Sequence, residues 1–195
     1  MIVGVVAVQG DFSEHIAVLK TLPTETKEIR LPKDLENVDG LIIPGGESTT
    51  LRKLFDIYEL TDGLKQYAKS GKVMWGTCAG MIMMAQNLTD DRPEPLRLMD
   101  ITVKRNAYGR QLNSFEVGLN IPCVGEPTFR SIFIRAPEIV TIGPNVNVLA
   151  YLENGNPVAV QENNLLATSF HPELTRDDRI HRYFLNMVEE VNQNQ

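Results

Sequence analysis

Three stretches in the first half of the chain are apolar without alternation: residues 2–8 (IVGVVAV), 40–46 (GLIIPGG) and 72–78 (KVMWGTC). A strand with one wet face alternates apolar and polar residues. A continuous apolar run bounded by turn residues fits a strand covered on both faces, as in a parallel sheet. Between these runs the apolar positions recur at helical spacing. They fall at Ile16, Leu19 and Leu22 in SEHIAVLKTL, and at Leu51, Leu54, Phe55 and Tyr58 in STTLRKLFDIYEL, with Ser48 as the expected N-cap. The second half changes character. MDITVKRNA, FEVGLNIP, RSIFIRAP, VNVLAYLEN and NPVAVQEN are short, β-rich and separated by Gly, Pro and Asn, and read as strands and hairpins attached to the main sheet. LLATSFHPEL returns to the buried-strand type. An amphipathic helix over residues 177–191 closes the chain, turning Ile180, Phe184, Leu185 and Val188 inward. The predicted architecture is α/β: a three-layer sandwich with a mostly parallel central sheet flanked by helices, plus β-rich additions in the second half.

Length and composition narrow the class. A chain of 195 residues suits one domain over 1–195, and 43% apolar with 23% charged residues is ordinary for a globular protein. The two cysteines, Cys78 and Cys123, are no disulfide framework and fit a reducing, cytoplasmic setting. A net charge of −6 without any lysine or arginine run argues against nucleic acid or an anionic membrane as partner. The N-terminal apolar run lacks a basic leader and is too short to span a bilayer.

Candidate chemistry begins at GTCAG, residues 76–80. The form G-x-C-x-G, after a buried strand and before a helix, is the setting of a nucleophile elbow. Gly76 and Gly80 are the small neighbours a sharp turn needs. Cys78 then stands at a helix N-terminus, where the dipole favours a thiolate, and the N–H of Ala79 points to where an oxyanion would form. The alternative is a buried cysteine acting as a small hydrophobe, and for Cys123, which has no such context, that is the better reading. A thiolate nucleophile needs a base and an orienting group. Of the three histidines, His171 lies just past a buried strand, before Pro172, which disfavours helical geometry for it. In an extended segment residues two apart point the same way, so Glu173 can hold one ring nitrogen while the other faces Cys78. A third element, PGGEST, lets backbone amides approach a ligand, with the N–H of Gly46 as second oxyanion donor. No G-K-[ST] follows, so it is not a P-loop. The histidines and cysteines show no metal-ligand spacing.

PGGES, GTCAG and HPE, in this order, resemble the class I, triad-type glutamine amidotransferases of flavodoxin-like fold. The blocks VQGDFSEH, RNAYGRQLNSFE and FIRAP narrow the resemblance to the glutaminase-subunit family of pyridoxal 5′-phosphate synthase, over residues 3–184. The resemblance implies hydrolysis of L-glutamine to glutamate and ammonia through a thioester, with no cofactor. It also implies delivery of the ammonia to a (β/α)8-barrel synthase subunit that makes pyridoxal 5′-phosphate. Cys78 is then nucleophile, His171 general base and acid, and Glu173 its orienting group. Gly46, Glu47 and Ser48 contact glutamine or form the oxyanion site, and Arg105, Ile134 and Arg135 fall at glutamine-binding positions. The family places the partner interface near Gln9 and Gly10, with Glu14 and His15 as further candidates, and its glutaminases tend to wait for their synthase. The segment TLPTETKEIRLPKDL reads as shortened, trimming a loop or strand before Leu35. Two readings compete. A thiol protease or esterase-like hydrolase gives PGGES and HPE no joint role. A non-catalytic binding subunit would be expected to have lost one of Cys78, His171 or Glu173.

Overall fold

In a computed structural model, which describes residues 1–106 and 114–194, the apolar runs form the middle of a seven-stranded sheet. The first half comprises β1 (Ile2–Val6), α1 (Phe12–Leu19), β2 (Glu25–Ile29), β3 (Gly40–Ile43), α2 (Ser48–Ile57), α3 (Leu60–Lys69), β4 (Val73–Thr77) and α4 (Ala79–Met84). The second half adds β5 (Ala85–Leu88), β6 (Met99–Lys104), β7 (Ser114–Leu119), β8 (Phe129–Ile134), β9 (Glu138–Ile142), β10 (Asn147–Tyr151), β11 (Pro157–Glu162), β12 (Leu165–Thr168) and α5 (Arg179–Gln193). The sheet order is β10-β11-β12-β4-β3-β1-β2. Pairing is parallel from β2 across to β12 and antiparallel for the last two strands.

The unalternating strands are explained by two cores. Every residue of β3 and β4 is buried. Ile42 and Trp75, partners in register, face the side covered by Phe184, Leu185 and Val188 of α5. Leu41 and Met74, also partners, face Leu51, Phe55 and Leu64 of α2 and α3. Each such side chain contributes roughly 1.5–3 kcal/mol on burial. The close packing of α5 depends on Gly40, where a Cβ would sit 2.5 Å from Val188 Cγ2.

The structure departs from expectation in three places. Glu47, not Ser48, is the N-cap of α2, its carboxylate accepting from the N–H groups of Thr49 and Thr50. Two carboxylate oxygens reach two first-turn amides, which one hydroxyl cannot. The helix expected through Leu60 breaks at Glu59, which takes a left-handed φ of 57°, and α3 starts there. The segment TLPTETKEIRLPKDL contains β2, paired along five residues with β1. The β-rich additions do not all join the main sheet. Only β10 and β11 do, while β5, β6 and β9 form one small sheet and β7 with β8 another. Residues 107–113, the middle of the RNAYGRQLNSFE block, lie outside the described residues. Among the described residues no helix is long and apolar enough to cross a membrane.

The turn after β4 is packed as tightly as its glycines imply. A Cβ on Gly76 would lie 2.6 Å from the Gly80 carbonyl carbon, and one on Gly80 would overlap the Ile43 carbonyl of β3. Both obstacles are backbone and cannot swing aside. Gly80→Ala is expected to destabilise the protein by about 3 kcal/mol, the upper end of ordinary overpacking costs. Urea unfolding should show this as a lowered midpoint, and an unchanged midpoint would mean that β3 and α4 are not pressed together.

Candidate active site

Four elements deliver side chains to one end of the parallel strands. The loop after β1 carries Asp11, that after β3 carries Gly45, Gly46 and Glu47 and leads into Ser48 at the start of α2, Cys78 directly follows β4, and His171 and Glu173 follow β12. In parallel α/β sheets this end collects ligands, because strands there diverge into loops while helix N-termini point inward.

Cys78 has φ 48° and ψ −103°, a sparsely populated conformation for a residue with a Cβ. Two hydrogen bonds hold it there: its N–H donates to the Thr168 carbonyl at 2.8 Å, and its carbonyl accepts from Ile82 N–H at 3.2 Å. The elbow anticipated from GTCAG is thus present. The thiol lies 3.8 Å from the Ile134 carbonyl oxygen. Ala79 opens α4, so its N–H is a first-turn amide with no intrahelical acceptor.

His171 is non-helical, with φ −107° and ψ 84°, and its N–H donates to the Ile132 carbonyl at 2.8 Å. Its Nδ1 lies 2.7 Å from Glu173 Oε1, so the i, i+2 spacing works as expected. A second carboxylate oxygen, Asp11 Oδ2, is 3.3 Å from the same nitrogen. Nε2 is buried and has no hydrogen-bond partner among the described residues, although the Cys78 thiol interacts with the ring strongly enough to affect its proton affinity. Burial opposes a charge on this ring, but contacts with Asp11, Cys78 and Glu173 outweigh it, and the pKa is pushed up to about 12. Burial raises Glu173 above the ordinary carboxylate range, while His171 pulls it back. A protonated ring donates from Nδ1 to the Glu173 carboxylate.

Gly45 packs directly on the imidazole: a Cβ there would overlap His171 Cε1 and come within 3.0 Å of Asp11 Oδ2. The Gly45 carbonyl accepts from Asp11 N–H at 3.0 Å. In a trans peptide the N–H of Gly46 is antiparallel to that carbonyl, so it points away from the β1–α1 loop. Gln9 braces the same turn, its Oε1 accepting from Glu47 N–H at 3.0 Å. Burial works against the Glu47 charge, but hydrogen bonds from Thr50 and Thr49 keep its carboxyl below the usual range.

These groups surround a cavity of about 330 Å³, at the small end for a ligand site and suited to something of amino-acid size. Of the residues singled out in the sequence, Gly46, Glu47, Ser48, Cys78, Arg105, Ile134, Arg135 and His171 line it. Ala79 lies beneath the nucleophile and Glu173 behind the histidine, neither on the wall. Arg105 donates to the Arg92 carbonyl at 2.6 Å and stands 3.7 Å from Glu47 Oε1. Arg135 holds a left-handed φ of 46° directly after Ile134. Asp11, His171 and Glu173 offer ligand-type atoms within 4.8 Å of one another. Both carboxylates reach the same Nδ1, however, so hydrogen bonding to the ring accounts for the grouping.

Two corrections concern histidine and cysteine. His15, a candidate for a partner interface, is fully buried and faces Thr77 and His181 instead. Cys123 is exposed, not a core hydrophobe, and lies in a short turn away from the cavity. The sequence reading also missed Asp11. Its only signal was its place two residues after Gln9, in the loop leaving the first strand.

The SNO glutamine amidotransferase family model matches residues 5–190. The chain is 49% identical over 190 residues to the pyridoxal 5′-phosphate synthase subunit PdxT of Chloroflexus aurantiacus, covering 96% of this chain and 100% of that one. It is 52% identical to the subunit of the same name from Dehalococcoides mccartyi, over 96% and 97% of the two chains. Among solved structures, a glutamine amidotransferase superposes with a TM-score of 0.90 at 45% identity, covering 96% of this chain and 98% of the other. A putative GMP synthase subunit from Thermoplasma acidophilum, at 19% identity and TM-score 0.70, shares the fold.

Proposed function

The chain belongs to the SNO glutamine amidotransferase family, and from that premise we propose that it is the glutaminase subunit of a pyridoxal 5′-phosphate synthase, a single cytoplasmic domain over residues 1–195. It hydrolyses L-glutamine to glutamate and ammonia. The observation that carries this reading is the alignment at Cys78 and His171. A strained cysteine and an imidazole share one cavity, and the imidazole is fixed through Nδ1 by a buried carboxylate at 2.7 Å.

The geometry supports the following sequence of events. The Cys78 sulfur attacks the side-chain amide carbon of glutamine. Negative charge collects on the former carbonyl oxygen, and the N–H groups of Gly46 and Ala79 stabilise it. His171 already carries its proton, held up by Asp11, Cys78 and Glu173, and gives it from Nε2 to the departing nitrogen, so ammonia leaves and a thioester remains. The neutral ring then takes a proton from water, whose oxygen attacks the thioester. Glutamate departs, and the sulfur leaves as a thiolate beside the protonated ring, the state in which the cycle began. Arg105 suits the substrate carboxylate, and the backbone acceptors at Ile134 and Arg135 suit its ammonium. The ammonia passes to a (β/α)8-barrel synthase subunit.

Coupled to that subunit, glutamate release from L-glutamine should exceed that of the isolated chain, because the turn at Gly46 must present its N–H for the oxyanion site to be complete. A coupled glutamate dehydrogenase assay measures this. Absence of release with the partner present would overturn the assignment.

A further inference from the structure

Behind Glu173 lies a buried polar cluster that the proposed chemistry leaves without a role. His15 on α1, His181 on α5 and Thr77, the residue before the nucleophile, are all fully buried. His15 Nδ1 lies 3.0 Å from His181 Nε2. His15 Nε2 lies 3.1 Å from Thr77 Oγ1 and 3.4 Å from Glu173 Oε2. Trp75 walls both rings edge-on, with centroids 5.5 Å from His15 and 4.9 Å from His181. Three helical or turn segments and the nucleophile strand thus meet at one imidazole.

Proton accounting decides which way the cluster points. Burial, with lesser contributions from His181 and His171, holds the His15 pKa well below its ordinary value, and burial takes His181 down to about 3. Both rings are therefore neutral, and the contact to Glu173 is no ion pair. Two neutral imidazoles 3.0 Å apart share a single N–H between them. If His15 Nδ1 donated it, His15 would turn a lone pair from Nε2 toward Glu173 Oε2, itself an acceptor without a hydrogen bond among the described residues. It would also strand an N–H at His181 Nδ1, which is buried and has no hydrogen-bond partner among the described residues. A buried orphan donor facing nothing, together with two facing acceptors, is the costlier arrangement. In the other arrangement His181 Nε2–H donates to His15 Nδ1. His15 Nε2–H then donates to Thr77 Oγ1 and presents the same edge to Glu173 Oε2. Only a lone pair on His181 Nδ1 goes unused.

We propose that His15 is a positioning residue for the triad: its Nε2–H edge, set by His181 and Thr77, holds Glu173 Oε2 so that Oε1 stays on His171 Nδ1. The line Cys78–His171–Glu173 then continues inward through His15 to His181 on the last helix. This rests on the glutaminase reading for its kinetic consequence, but not for its geometry.

The test uses the complete complex with its synthase subunit, and two variants. His15→Leu removes the donor at similar volume. His15→Gln keeps an N–H near the place of Nε2. With Leu, kcat should fall about 10-fold or more, within the roughly 10²-fold that a small misplacement of a catalytic group can cost. KM for glutamine should stay within about twofold, because His15 touches no part of the cavity. Gln should restore most of kcat. Ring ¹⁵N–¹H correlation spectra of the wild-type chain supply a readout independent of turnover and of variant folding: His15 should carry its proton on Nε2. A proton on Nδ1, an unchanged kcat in His15→Leu, or a folded His15→Gln no better than Leu would each overturn the proposal. Wild-type glutamate release in Cys78→Ala would instead sink the glutaminase reading while leaving the ring spectra to be judged on their own.

Discussion

Cys78→Ala should release no measurable glutamate in the presence of the synthase subunit, a loss of about 10⁴-fold or more of the kind that follows removal of a nucleophile. Among the described residues no other group lining the cavity can replace it: they include no second thiol, and their sole hydroxyl is that of Ser48. That serine sits in the first turn of α2, away from the elbow that places Cys78 against His171. Folding should survive. The thiol's contacts, a long one with the Ile134 carbonyl and the one with the His171 ring, belong to the cavity and not to the core, and alanine keeps the backbone that Thr168 and Ile82 hold. The comparison is glutamate production by both proteins at equal concentration, with far-ultraviolet circular dichroism to verify folding. Retained activity in a folded Cys78→Ala protein would remove the nucleophile assignment.

Glu173→Gln is expected to cost about 10³-fold in kcat. Loss of the lone orienting carboxylate in a serine-protease triad costs roughly 10⁴-fold, because an amide can hold the wrong tautomer of its histidine. Here Asp11 Oδ2 stands 3.3 Å from the same Nδ1 and can take over part of the task. The double variant with Asp11→Asn should therefore lose more than the two single losses combined, since each carboxylate covers for the other. The sign of the pH effect follows from the cause. Hydrogen bonds to Asp11, Cys78 and Glu173 raise the His171 pKa against burial. Removing one carboxylate must lower it, moving the titration limb of His171 in kcat/KM to lower pH. A pH–rate profile from acid to alkaline reads this directly. A limb that stays in place, or moves to higher pH, would mean that Glu173 does not act on His171.

These expectations draw unequally on local and distant information. Local spacing was enough for the elbow, because a nucleophile squeezed between a buried strand and a helix demands small residues within two positions on either side. Gly76 and Gly80 satisfy that demand against the backbone of their own turn and of β3. It was enough for Glu173 as well, since two residues along an extended segment return to the same side, and for the sheet, since burial on both faces leaves no polar alternation in β3 and β4. The glutamine-binding positions were a different matter. Only the family resemblance singles out Arg105 over Arg110 or Arg135, and Arg110 lies outside the described residues.

Spacing along the chain carried no trace of the groups that meet His171 and Glu173 from the far side. Asp11 is 160 positions from His171, and His15 is 166 from His181. A histidine on an amphipathic helix can face solvent or core with the same periodicity. What buried His15 was the arrival of α5 and Trp75 over it, a matter of how helices pack across a sheet. The residues near Cys78 in sequence specified the kind of chemistry, because turn geometry and side-chain reach are short-range. Which polar atoms hold the histidine and its carboxylate in place was settled by packing, because hydrogen bonds in a dry interior go to whichever donors and acceptors the assembled layers bring within 3 Å or so.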